Sequence, residues 1–412
     1  MKEPGAGSCR QRERTTPERT LADWQFLTAW LRGEIDAPAL SHRQQELLFC
    51  HHLCGLAHRP DGHGPGWEAV TRQKKNQTMF ALCAQALFEK IAHRCRKRGF
   101  SILPVKGISL SLTLYASDPG RRQLSDIDLL VLPEDLPSLA TVLEELGYRP
   151  KKTQMLEPGY QKHKRKAEFI TQAPGLPSID VHTAFIVKKH IARHSGMLLP
   201  TVFARARQIR GQQGQLFVLD PIDEWIYLAY HFCLHHRFAG LKWLDDLQQA
   251  RLRLREGDVS LLLQRAQIAG LTPILAATMD LLGMVYGLGP QPWRQFPQRP
   301  QSRLTRIWLK DALLPSKLVR RDLEHGHGTF RDRLAASFWE FLFIEGTRQR
   351  RMALLRLLFP GKELLSTIIG QHSWRAYLLY APLTTCTVTL MTSAFLLLSL
   401  FIVIRSPALD AN

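Results

Sequence analysis

An α+β fold is what this sequence predicts, and three observations carry it. Short apolar runs bounded by Gly and Pro fall between residues 100 and 185, long stretches on both sides repeat apolar residues at helical spacing, and 376–404 carries no charged residue. The plan that follows is a polar tail at 1–19, an N-terminal helical region at 20–98, a sheet core at 99–219, a C-terminal helical region at 220–375, a transmembrane helix at 376–404 and a short tail at 405–412.

Each part has its own reason. Met1 to Arg19 is polar and charged, without the apolar region of a secretory signal. Trp24, Phe26, Leu27, Trp30 and Leu31, then Leu47, Leu48, Phe49, Leu53 and Leu56, give apolar helix faces, and 75–98 is a long amphipathic stretch. Phe100–Val105 reads as a strand with Pro104 near its end or on an edge, and Ser109–Tyr115 begins a helix. Leu136, Leu139, Leu143 and Leu146 recur at helical spacing and Gly147 marks the stop. Residues 161–171 and 178–185 read as two strands joined by a turn at Pro174-Gly175, and Asp220-Pro221 opens the next helix, Asp as cap and Pro in the first turn.

The chemistry lies in the strands. Asp126 and Asp128 are two apart, so their side chains leave a strand on one face and can grip the same ion. Ile127, Leu129, Leu130, Val131 and Leu132 make that segment too apolar for a loop, and a carboxylate there needs a partner or a metal. Asp180, in Ser178-Ile-Asp-Val-His182, is a third carboxylate, and His182 shares its face as a substrate contact, an orienting group or a buried histidine. Hard cations such as Mg²⁺ or Mn²⁺ take carboxylates and phosphate oxygens, the layout of metal-dependent phosphoryl transfer. Lys106-Gly107 lies between strand and helix, where Gly lets backbone N–H groups approach a phosphate and Lys supplies charge. The spacing is not that of a Walker-type P-loop.

Leu103-Pro-Val-Lys-Gly107, Leu110, Tyr115, Asp118-Pro-Gly-Arg121, Asp126-Ile-Asp-Leu-Leu-Val131, Gly147-Tyr148, Ile179-Asp-Val-His182, Leu219-Asp-Pro-Ile-Asp-Glu224, His231 to His235 and Leu241-Lys-Trp-Leu-Asp-Asp-Leu247 carry a resemblance. Together they resemble the uncharacterised bacterial nucleotidyltransferase family of the DNA polymerase beta-like superfamily, over most of residues 75–250 and more loosely as far as Pro360. The resemblance implies a nucleotidyltransferase-type mixed β-sheet core. It also implies Asp126, Asp128 and Asp180 as catalytic metal ligands, Asp180 helping to activate an acceptor hydroxyl, with Lys106, Gly107 and Ser109 on the nucleotide phosphates. Arg121, His182, His235 and Asp246 are further candidate substrate contacts, and Gly107-Ile-Ser109 departs from the superfamily's Gly-Ser or Gly-Gly.

A net charge of +19 around an acidic site favours anionic ligands: a nucleotide such as ATP, a nucleic acid or an anionic membrane surface. The densest basic run, Lys151-Lys152 with Lys162 to Lys166, is either a lining for the acceptor path or a charged sheet edge. His231 and His235 are one helical turn apart but lack the Glu of a His-Glu-x-x-His site; Cys50 and Cys54 at i, i+4 read as packed thiols, and the seven cysteines show no disulfide framework. The uncharged run at 376–404 exceeds the roughly 20 residues that span a bilayer. Arg348, Arg350, Arg351, Arg356 and Arg375 before it orient the main domain to the cytoplasmic side of the inner membrane.

The expected function is transfer of a nucleoside monophosphate from an NTP to an acceptor hydroxyl on a glycan, lipid, protein or RNA. A nucleotide-binding sensor or scaffold without catalysis is the competing class, and an RNA-modifying enzyme the third.

Overall fold

The computed structural model describes residues 17–35, 39–57, 64–158, 161, 165–186, 197–287, 339–340, 342–344 and 393. Its centre is a five-stranded sheet of β1 (Leu103–Val105), β2 (Asp126–Leu130), β3 (Arg149–Pro150), β4 (Lys166–Ile170) and β5 (Ser178–His182), in the order β1-β2-β5-β4-β3. The two Asp-bearing strands, β2 and β5, are central and parallel; every other pairing is antiparallel, so the sheet is mixed. β1 is an edge strand, which is why Pro104 costs no ladder bond.

Strand period then decides what each face does. Ile127, Leu129 and Val131 of the β2 segment, Ile179 and Val181 of β5, and Ala167 and Phe169 of β4 are fully buried in one core. That core is closed by α3 (Trp67–Lys97), through Ala84, Phe88, Ile91 and Cys95, and by α5 (Leu136–Glu145), through Leu139, Val142 and Leu143. Gly147, at φ +83°, ends the α5 turn as its position in the sequence predicts. The alternating positions Asp126, Asp128, Asp180, His182, Lys166 and Glu168 therefore lie on the opposite face.

That second face is roofed by helices. α7 (Pro221–Leu234), α8 (Leu241–Leu252), α9 (Glu256–Ala269) and α10 (Thr272–Tyr286) share a core with α1 (Pro17–Arg32), α2 (His42–Cys50), Leu103, Val105, Leu110 of α4 (Lys106–Leu112) and Leu130. The division is not by chain order: α1, α2 and the start of α3 (Trp67, Val70) join the C-terminal helices, whereas α3 from Ala81 onward belongs to the sheet core. Trp30 anchors the join, stacking on Trp67 at 5.6 Å and donating from Nε1 to the Leu53 carbonyl at 3.1 Å. α7 is capped as expected, Asp220 Oδ1 accepting from the backbone N–H of Ile222 and Asp223. Trp339 docks on it by donating to the Cys233 carbonyl.

Several expectations shift. The strand read over 100–105 is confined to Leu103–Val105, and the helix read from Ser109 starts at Lys106. A hairpin of β6 (Arg207–Gly211) and β7 (Gly214–Val218), preceded by α6 (Leu199–Arg205), was not anticipated, because its polar Gly-Gln-Gln-Gly turn and largely exposed strands lack clear alternation. No helix among the described residues is long and apolar enough to cross a membrane; the span read over 376–404, apart from Ser393, lies outside the described residues, as do Lys162 to Lys164.

One contact ties the N-terminal helices to the loop before β2. The turn at Cys54–Leu56 packs on that at Pro119–Arg121 so closely that a Cβ on Gly55 would stand 2.1 Å from the Arg121 carbonyl oxygen and 2.4 Å from that of Gly120. Gly55→Ala must move backbone, so urea denaturation should show a loss of about 1–3 kcal/mol; unchanged stability would mean that the two turns are not held together.

Candidate active site

Register assembles the site. Asp128 of β2 stands opposite Asp180 of β5, and Lys166 of β4 opposite His182 of β5, while Val105, the last residue of β1, is opposite Asp128 and delivers Lys106 just beyond it. Asp128 Oδ1 accepts from Lys106 Nζ at 2.5 Å and lies 3.0 Å from His182 Nε2. Asp180 Oδ2 accepts from Lys166 Nζ at 2.5 Å. One ligand atom each of Asp128, Asp180 and His182 lie within 4.8 Å of one another, and all three residues are buried.

Electrostatics follow from burial. Desolvation pushes the Asp128 carboxyl up, but the Lys106 charge and the His182 hydrogen bond outweigh it and hold the group below the usual carboxylate range. Asp126 is half-buried and accepts from Ser125 Oγ at 2.9 Å. Burial and the neighbouring Asp128 charge push its carboxyl up, although Lys106 opposes them. Two carboxylates and an imidazole, buried and convergent, are a donor set that fits a divalent cation. His182 thus enters the metal set expected from Asp126, Asp128 and Asp180, while Asp126 stands beside that set and outside its three convergent atoms.

The turn into α4 is built under constraint. Lys106 adopts φ +56°, rare for a residue with a Cβ, and so its ammonium comes back over β2. A Cβ on Gly107 would lie 2.4 Å from Arg122 Nη1 and 2.4 Å from Leu124 Cδ2, so the glycine is needed for the passage of Arg122. Ser109, expected on the triphosphate, is fully buried and donates to Glu224 Oε1 on α7, which commits its hydroxyl to the interior. Burial, opposed by that hydrogen bond, pushes the Glu224 carboxyl up to about 7.

Arg122, not among the sequence candidates, holds the roof. Its Nε donates to Asp246 Oδ2 at 2.6 Å, and its guanidinium lies 4.6 Å from the Trp243 ring centroid. Asp246 also accepts from Tyr115 Oη at 2.9 Å, so it is a buried partner of Arg122 and Tyr115. Arg121 meets Asp245 at 3.0 Å in a parallel pair. The only hint in sequence was the complementary Arg121-Arg122 and Asp245-Asp246 doublets. His231 and His236 bring their Nε2 atoms within 3.0 Å, and the exposed His235 ring stacks on His231 at 4.8 Å. Burial first, then Lys106 and the neighbouring imidazoles, hold His231 well below its ordinary value, as a neutral wall rather than a cation. Tyr227, one turn earlier, is raised by burial first and then by the Asp128 and Asp180 charges. Cys54 and Cys95 are buried thiols pushed up to about 12 and are poor thiolate ligands.

Residues 48–287 match the model of a family described as uncharacterised nucleotidyltransferase, over more than half of the chain. The chain belongs to that nucleotidyltransferase family. As a member it is a nucleotidyltransferase, with a nucleotide as substrate, and the mixed sheet with its Asp-Asp-His cluster fits this. No curated protein and no solved structure matches it.

Glu224 gives a pH signature. An acid whose folded pKa is about 7, above its ordinary value of 4.5, costs nothing below the unfolded pKa, and its cost grows as pH rises between the two. Glu224→Gln should therefore gain on the wild type from pH 5 to pH 8 by on the order of 3 kcal/mol, read from urea midpoints at each pH. Parallel pH profiles would show that Glu224 titrates normally.

Proposed function

We propose that the protein transfers a nucleoside monophosphate from an NTP to an acceptor hydroxyl, using Mg²⁺ or Mn²⁺ held by Asp128, Asp180 and His182, with Asp126 as an additional ligand. The observation that carries this reading is the convergence of these side chains on one face of two parallel strands, in a nucleotidyltransferase. When bound, the cation supplies charge stabilisation for the phosphoryl oxygens and lowers the pKa of a bound hydroxyl.

The chain's own groups divide the remaining work. Asp180 assists removal of the acceptor proton. Asp126, with its carboxyl raised by burial and by Asp128, gains most from a cation beside it. Lys106 neutralises phosphate charge from the β1 side, and its neighbour Gly107 permits close backbone approach. Tyr227 and His231 of α7, both buried, help to keep water from the site, which strengthens each electrostatic contact. The test is label transfer from α-³²P nucleoside triphosphates with Mg²⁺ or Mn²⁺ to the proteins, lipids, glycans and RNA of a membrane extract. Wild type should label one acceptor class; Asp128→Asn and Asp180→Asn should fall to background while remaining folded. Turnover retained in Asp128→Asn would overturn the assignment.

The uncharged run at 376–404 supports tethering to the inner membrane, the basic side of the chain facing anionic lipid and the site facing the cytoplasm. Full-length protein should then stay with membranes after alkaline carbonate washing, and deletion from residue 376 should release it. Release of the full-length chain would sink the tether without touching the chemistry.

A further inference from the structure

Two lysines stand where a cation would have to come. Asp128 and Asp180 each accept a 2.5 Å hydrogen bond from an ammonium, and the two ammoniums approach from opposite sides, Lys106 from the end of β1 and Lys166 from β4. The oxygen of Asp128 that meets Lys106 is also the one nearest His182 Nε2, so the atom best placed as a ligand is already engaged. Formally, Asp126, Asp128 and Asp180 carry three negative charges against two positive. A dication added to that set would overfill it by one charge, in a place where water screens little.

We propose that Lys106 and Lys166 are exchangeable counter-ions: they hold the carboxylates before the cation binds and pass to the substrate phosphates as it enters, making metal and triphosphate bind cooperatively. The inference rests on the metal-site reading above. Lysine suits the exchange because its charge is a compact point on a flexible stem, with no bidentate geometry to lose. The two differ in where they can go. The Lys166 side chain is 43% exposed and its ammonium can turn to solvent, whereas that of Lys106 is 10% exposed and can only meet something that enters the site. A polyphosphate supplies that partner and restores charge balance. Lys166 is then a positioning residue for substrate, in addition to guarding Asp180 against the metal alone.

The experiment titrates full-length protein at neutral pH with Mn²⁺ alone, following loss of the free-ion EPR signal, and then with a preformed Mn²⁺–tripolyphosphate complex as a probe free of any base. Lys166→Gln and Lys106→Gln should each bind Mn²⁺ about tenfold more tightly than wild type. Arg94→Gln removes the same charge, but from a pair with Glu145 on the helices covering the opposite face of the sheet, and should stay within about twofold. Wild type should prefer the tripolyphosphate complex over the bare ion by about tenfold or more, and Lys106→Gln/Lys166→Gln should lose that preference. Since Lys106→Gln leaves Asp128 buried beside a lost charge and can fail to fold, Lys166→Gln alone decides the point. Equal Mn²⁺ affinity in wild type and Lys166→Gln overturns the exchange while leaving the metal site standing. Mn²⁺ binding undiminished in Asp128→Asn and Asp180→Asn overturns both.

Discussion

A carboxylate with 4% of its surface exposed cannot be left alone, and the neighbourhood of Asp128 is arranged around that fact. Desolvating an isolated ion costs several kcal/mol, so the fold must supply positive charge and hydrogen bonds at the same depth. Lys106 does so from a left-handed backbone conformation that a lysine adopts only when its surroundings enforce it. Gly107 follows because Arg122 passes where a Cβ would be, and Arg122 passes there to reach Asp246 beneath Trp243. His182 completes the set from the neighbouring parallel strand. Each accommodation is local, yet together they connect the sheet to the helices that cover it.

The covering helices also set the character of the site. α7 contributes a buried Tyr227, a neutral His231 and Glu224, which accepts from Ser109 of α4, while Lys106 and His182 already engage Asp128 within the protein. Asp180, His182 and Lys166 stand together on neighbouring strands, Lys166 opposite His182 in the register. A chain of net charge +19 around such an acidic centre draws anions toward it from a distance.

Much of this was legible in the chain. The two-residue periodicity that placed Asp126 with Asp128, and Asp180 with His182, is a property of extended backbone and survives any tertiary context. Gly147 and Asp220 terminate and start helices for equally local reasons. Lys166 was visible only as part of a basic run, because its meaning depends on the register of β4 against β5. Ser109 was implied as a phosphate contact by the family resemblance; its partner Glu224 is 115 residues away. Arg122 and Asp246 are separated by 124 residues, and no local pattern announces which of two adjacent arginines goes inward. The β6–β7 hairpin escaped because neither face is consistently apolar.

The shared core of α1, α2 and α7 to α10 bears on the order in which the molecule comes into being. By the time residue 182 has been synthesised, the chain already contains every carboxylate of the site and both lysines, and its β-strands have their partners. Leu103, Val105 and Leu130, however, share a core with helices that end only at Tyr286, and Arg32 donates to the Val285 carbonyl, 253 residues downstream. Contacts of such separation form late and slowly. The nascent sheet therefore presents its chemistry and an apolar surface together, before it has a roof, and the last helices to emerge convert an exposed cluster of charges into an enclosed site.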